Sequence, residues 1–185
     1  MPRSVEPERH PISGVQLVSL TSHGDARGSF TEIHRESWFS EPRPVQWNLV
    51  HSRAGSLRGI HVHVRHGDYL VVSGGNMQLC LGDLRERSST YGRWDLVDLR
   101  AEPLQLVYVP PGVAHGFYFP VASHHLYGMS EYWCPEEEMG CHWADPALNL
   151  AWQVKDSPTL SPRDSQLGTL AHLIGQMKPY QPLLA

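Results

Sequence analysis

The sequence predicts an all-β fold, an antiparallel jelly-roll barrel with a short helical segment at its C-terminal end. Two observations carry the prediction. Short apolar runs recur between residues 14 and 133 with turn residues between them, and no 3.6-residue periodicity shows before residue 150. A chain of 185 residues with 41% apolar content can bury one core. It divides into a loose, proline-rich segment (1–13), the barrel (14–155) and a C-terminal segment with the helix packed on the barrel (156–185).

Residues 14–20 alternate weakly and read as the first strand. The stretch HGDARGSF follows as a loop in which Gly24 and Gly28 permit a tight turn, and residues 30–34 resume strand character. In VQWNLVHS, residues 45–52, Gln46 and Asn48 share one face of a strand, and buried amides there would need partners. After the central stretch come strands at 76–84, 94–99 and 104–109, the last entering the turn Pro110-Pro111-Gly112. Further strands are expected at 115–119 and 126–133. Leu167, Leu170, Ile174 and Met177 then fall at helical spacing within 166–177. The cupin type of jelly roll fits this order.

Composition excludes several function classes. A net charge of −4 without a basic stripe argues against a nucleic-acid binder. No apolar run approaches a membrane span, and the first eleven residues are charged and proline-rich, unlike a signal peptide, so the expected location is the cytoplasm. Cys80, Cys134 and Cys141 show no C-x-x-C spacing and are expected to be packed thiols. Arginine far outnumbers lysine, which occurs only at Lys155 and Lys178. Guanidinium is the better bidentate partner for phosphate, which draws attention to Arg27 and Arg58, each beside a glycine.

The chain is organised around GSLRGIHVHVRHGDYLVVSGG, residues 55–75. Ile60, Val62 and Val64 alternate with His61 and His63, so one strand face is apolar and the other carries imidazoles. A second apolar hairpin, 106–119, presents His115. Two polar intrusions into apolar hairpins point to a site rather than to solvated histidines.

Several motifs occur in an order that resembles the dTDP-4-dehydrorhamnose 3,5-epimerase family of cupin-fold homodimers. They are Asp25-Ala26-Arg27-Gly28 with Phe30 and Glu32, Gln46 with Asn48, Arg58-Gly59-Ile60-His61, Thr90-Tyr91-Gly92, His115-Gly116-Phe117, Tyr127, Trp143 through Leu148, and Arg163-Asp164. The resemblance spans about residues 24–164. It implies epimerisation of carbons flanking the C4 ketone of a dTDP-linked 6-deoxyhexose, without a cofactor. His61 would be the base, Asp164 its carboxylate partner and Tyr127 the acid. Arg27, Gln46, Asn48 and Arg58 would surround the sugar nucleotide. Trp133 occupies the position of a stacking tyrosine, and His23 that of a phenylalanine reaching over from the other subunit. Phe30, Glu32, His115 and Trp143 complete the expected substrate contacts.

Two departures bear on mechanism. Asp68 stands where the family carries a lysine near the sugar, and loss of one preorganised oxyanion donor typically costs about 3 to 4 kcal/mol. His63 replaces a glutamine or aromatic residue. With it, Gly55, His61, His63, Asp68, Gly75 and His115 resemble the pattern of metal-binding cupins. That gives an alternative in which His61, His63, Asp68 and His115 hold a divalent transition metal in an isomerase or oxygenase. The two readings make opposite use of His61, because a metal ligand cannot also be a free base. Arg58, Tyr127, Trp143 and Asp164 have roles only in the epimerase, which favours it. A third class is a sugar-nucleotide-binding cupin without catalysis.

Overall fold

A computed structural model describes residues 7–134 and 138–184. Its framework is two antiparallel sheets built from β1 (Glu8–Arg9), β2 (Gln16–Ser19), β5 (Gln46–Ser52), β6 (Ser56–Val62), β7 (Asp68–Gly74), β8 (Asn76–Asp83), β9 (Trp94–Arg100), β10 (Gln105–Val109), β11 (Val113–Phe119), β12 (Ser123–Met129) and β13 (Met139–Gly140). A six-stranded sheet has the order β1-β2-β10-β7-β12-β5, and a five-stranded sheet has the order β13-β6-β11-β8-β9. Consecutive strands repeatedly cross between sheets, which makes a jelly roll. A ribbon of β3 (Ser22–Asp25) and β4 (Gly28–Thr31) stands apart from both.

Three apolar clusters explain the layers. The inner faces of both sheets meet over Leu70, Val72, Met77, Leu79, Leu81, Val107, Val109 and Phe119. On the outside of the six-stranded sheet, Val18, Tyr69, Val71, Leu106 and Tyr108 are covered by Ile33, Trp38 and Phe39. The outside of the five-stranded sheet places Ile60, Val62, Cys80 and Ala114 against Cys141, Leu148, Leu173 and Met177 from the C-terminal part. β7 is therefore covered on both faces, and residues 68–72 are all buried. At β6, covering the outer face by Ile60 and Val62 turns His61 towards the barrel interior.

The structure differs from the sequence expectations in several places. The N-terminal segment expected to be loose carries β1 paired with β2, and Ile12 is fully buried in the core. The expected loop HGDARGSF, residues 23–30, contains most of the β3–β4 ribbon, whose turn holds Gly28 at φ 133° and Arg27 N–H on Asp25 Oδ1 at 2.8 Å. Strand β12 runs from 123 to 129 rather than 126 to 133. The helix, α1 (Leu170–Met177), starts later than expected because Thr169 caps it, its hydroxyl accepting from His172 N–H at 3.2 Å. Leu170, Leu173 and Met177 form its buried face. Cys80 and Cys141 are buried thiols, as expected. No helix of the described residues is long and apolar enough to cross a membrane.

Candidate active site

Between the sheets lies a cavity of about 290 Å³, near the low end of the roughly 300–1,000 Å³ usual for small-molecule sites. The five-stranded sheet lines it with Arg58, His61, His115 and Phe117, the six-stranded sheet with Val50, Asp68, Leu70, His125, Tyr127 and Met129, and His63 enters just beyond the end of β6. Ser161, Arg163 and Asp164 close one side.

Strict alternation would put Arg58 and His61 on opposite faces of β6. A bulge brings both to the cavity. From His61 to Arg58 the strand advances three positions while β11, from His115 to Phe117, advances two. Gly59 sits in this bulge at φ 107°, and a Cβ there would lie 2.8 Å from Gly116 Cα. Only glycine lets the strands approach so closely.

His61 Nε2 meets Asp164 Oδ1 at 2.7 Å, with the His61 side chain 20% exposed and that of Asp164 5%. Burial would raise the Asp164 pKa, but hydrogen bonds and charge from His61, with the Gly59 N–H at 3.4 Å, outweigh it and lower the pKa. An ionised Asp164 favours the ring proton on Nε2, which would leave the Nδ1 lone pair free to take a proton. Asp164 opens a 3-10 turn, Asp164–Gln166, and does not cap α1. Tyr127 comes from the opposite sheet, and burial raises its pKa, with Asp68 adding to the shift. Arg58 sits exposed on β6 with its Nε on Ser52 Oγ at 3.1 Å. His125, which sequence reading missed, is 1% exposed among the rings of Phe117, Phe119 and Tyr127. Burial, reinforced by Arg58, pushes its pKa down to about 4.

Below the dyad is a second cluster. His63, His66 and Asp68 bring their ligand atoms within 4.8 Å of one another. His115 Nε2 lies 3.5 Å from Asp68 Oδ2. Burial lowers His63 well below the ordinary imidazole value, brings His115 down to about 3, and raises Asp68 well above the carboxylate range. The ligand set His61, His63, Asp68 and His115 considered from the sequence is not what assembles. His61 is held by Asp164, and His66 takes its place beside His63 and Asp68.

Residues 9–172 match the family profile described as dTDP-4-dehydrorhamnose 3,5-epimerase. The chain belongs to this family. A Pseudomonas aeruginosa dTDP-4-dehydrorhamnose 3,5-epimerase is 35% identical over 166 residues, 85% of this chain and 92% of that one. A Streptomyces dTDP-4-dehydro-6-deoxyglucose 3-epimerase is 33% identical over 93% of this chain and 94% of its own. The Neisseria gonorrhoeae relative is longer, and its 34%-identical match covers 83% of this chain and 49% of that protein. Among solved structures, a Legionella pneumophila 3,5-epimerase in complex with dTDP-4-keto-L-rhamnose superposes with TM-score 0.87 at 29% identity, over 94% of this chain and 96% of that one. The Mycobacterium tuberculosis epimerase gives 0.88 at 28%, over 97% and 98%.

In this member of the epimerase family the other residues expected at the site fall into two groups. Trp133 lines the cavity, its backbone N–H donating to Gln46 Oε1 at 3.2 Å and its indole N–H to Glu138. Gln46 Nε2 in turn donates to Asn48 Oδ1 at 3.1 Å, so these amides brace the wall and do not line the cavity. The second group stands away from it. His23 and Phe30 lie on the β3–β4 ribbon, with Phe30 70% exposed, and Arg27 is paired with Asp25 at 2.6 Å. Glu32 is held by Arg35 at 2.7 Å. Trp143, expected at the substrate, instead lines a separate groove with residues drawn from the segment 144–157, among them Leu148 and Trp152, because the chain turns outward after Cys141, which is anchored on Ile60.

Proposed function

We propose that this chain epimerises a dTDP-4-keto-6-deoxyhexose by moving a proton off and back onto a carbon beside the ketone. The observation that carries the reading is the His61–Asp164 contact at 2.7 Å inside a cavity whose opposite wall holds Tyr127. His61 Nδ1 takes the C–H proton, the electron pair moves into the C4 carbonyl as an enolate, and Asp164 steadies the imidazolium. Tyr127 O–H then delivers a proton to the other face and restores the ketone. Arg58, exposed and lining the cavity, is a cation available for the diphosphate, whereas Arg163 on the same cavity is paired with Glu138. The test is incubation of dTDP-4-keto-6-deoxyglucose with the protein in heavy water, followed by nuclear magnetic resonance. Deuterium at C3, C5 or both, absent with His61→Ala, supports the reading and reports which carbon reacts; no wash-in with wild type overturns it.

The working unit is proposed to be a homodimer. β5 is the last strand of its sheet and turns Gln46, Asn48 and Val50 inward, leaving Trp47 and Leu49 outward at 39% and 60% exposure. An apolar outer face on an edge strand favours a covering partner. The ribbon carrying His23, Arg27 and Phe30 stands off its own barrel and is suited to reach a neighbour's cavity. Sedimentation velocity tests this: a dimer that Leu49→Lys dissociates is expected, and a wild-type monomer refutes it.

A further inference from the structure

We propose that His63, His66 and Asp68, with His115 facing them, form a binding site for one divalent first-row transition ion on the floor of the cavity, separate from the His61–Asp164 dyad.

Three imidazole nitrogens are turned on one carboxylate. His63 Nε2 lies 3.9 Å from Asp68 Oδ2, His66 Nε2 lies 3.8 Å from Asp68 Oδ1, and His115 Nε2 lies 3.5 Å from Asp68 Oδ2. These separations are too long for good hydrogen bonds, which run at about 2.7–3.2 Å. They fit co-ligands. Around a tetrahedral ion with bonds of roughly 2.0–2.2 Å, ligand atoms sit about 3.4 Å apart, so the His63, His66 and Asp68 atoms, within 4.8 Å of one another, would draw together by up to about 1.4 Å on binding, with His115 approaching from beside Asp68. The chemistry also fits, since two or three imidazoles with one carboxylate suit zinc, cobalt, nickel or iron.

The site is built rather than incidental. Asp68 is 3% exposed and His66 7%, and among the described residues no hydrogen bond reaches the Asp68 carboxylate. A carboxyl group buried beside three imidazoles has ligand atoms ready for a cation, and a bound ion would let it stand there as the carboxylate. His63, His66 and Asp68 lie within six consecutive positions, at the end of β6 and the start of β7. That turn is fixed on both sides. His63 O accepts from Gly112 N–H at 2.7 Å, and Gly67 donates to Ser130 Oγ at 3.0 Å while its carbonyl accepts from Ser130 N–H at 3.1 Å. A Cβ at Gly67 would strike the Tyr108 ring within 2.5 Å, so the turn packs tightly enough to preset both flanking ligands. His63, Asp68 and His115 also line the cavity, so an ion bound here would face whatever His61 works on. Binding itself stands or falls without the epimerase reading.

The experiment is titration of the full-length, chelator-stripped protein with Co2+, read by its visible d–d absorption, and with Zn2+ by calorimetry. One ion per chain is expected, with intense tetrahedral-type cobalt bands displaced by Zn2+. Asp68→Asn and His66→Gln should each weaken binding at least ten-fold, and His124→Ala, at an exposed position, should leave it unchanged. X-ray absorption on the wild-type zinc complex keeps the test independent of variant folding and should report imidazole ligation. Wild type that binds less than one ion per chain, binding that survives Asp68→Asn, or absorption without imidazole would each overturn the proposal. Because no sugar nucleotide is present, failure here is distinct from failure of deuterium wash-in.

Discussion

Replacing Asp164 by asparagine removes one charge and little volume, so it isolates what the carboxylate does for His61. The pair is separated by 2.7 Å and Asp164 is nearly buried, which is the geometry of a charge-assisted hydrogen bond. Such bonds contribute about 1.5–3 kcal/mol. The contact strengthens as the ring becomes imidazolium, so most of that energy belongs to the proton-transfer step, and the rate should fall roughly ten- to 150-fold. Should the asparagine NH2 turn towards Nε2, the ring proton is driven to Nδ1, the base is lost, and the fall is larger still. Asp164 acts through His61, so KM should stay within about two-fold while kcat carries the loss. The assay is the initial rate of deuterium incorporation at saturating and at limiting substrate. A variant within three-fold of wild type in kcat, with its fold intact by circular dichroism, would refute the dyad as the source of basicity.

Tyr127→Phe should separate the two half-reactions: exchange with solvent at the acidic carbon persists through His61, while formation of inverted product drops by about 10² or more, the usual worth of a general acid; equal loss of both would argue against Tyr127 as the acid. Arg58→Ala should weaken dTDP binding about ten- to 150-fold, the worth of a charged hydrogen bond, measured by calorimetry in moderate salt. His125 is neutral when folded, with a pKa near 4 against about 6.5 unfolded. The stability it contributes is complete above pH 6.5 and is lost as pH falls towards 4, a difference of about 3 kcal/mol. His125→Phe keeps the ring among Phe117, Phe119 and Tyr127, so urea unfolding at pH 7 and pH 4.5 should show a flatter dependence than wild type, and an identical slope would refute the assignment.

Most strands of the barrel were legible because their apolar positions recur with the period of a sheet buried on at least one side. What escaped notice lacked that signal. The β3–β4 ribbon is exposed throughout most of its length and is held by backbone pairing and the Asp25–Arg27 turn, so no hydrophobic alternation marks it. β13 is two residues long and exists because β6 offers it an edge. His125 was hidden by a strand boundary read three residues late. Extending β12 back would have shown His125, Tyr127 and Met129 alternating onto one face, all of which line the cavity. His66 lay in a turn outside the alternation of His61 and His63, and no spacing rule brings it to Asp68; the fold of the turn does. Asp164, 103 positions beyond its partner, entered the sequence reading only through family resemblance.

With His61 as the proposed base and Tyr127 as the proposed acid, the sheet topology would let the two work on opposite faces of one carbon. β6 belongs to the five-stranded sheet and β12 to the six-stranded sheet. A planar enolate held between them would present one face to His61 and the other to Tyr127, without either residue having to move. Consecutive elements of the chain could not achieve this on one sheet, where neighbours share a face. The β6 bulge then adds Arg58 to the same side as His61, while the outer face of β6 remains apolar under α1. Filling the bulge with a side chain at Gly59 would have to push β11 away, and it would disturb the cation, the base and the His115 wall together, because all three depend on that single close approach.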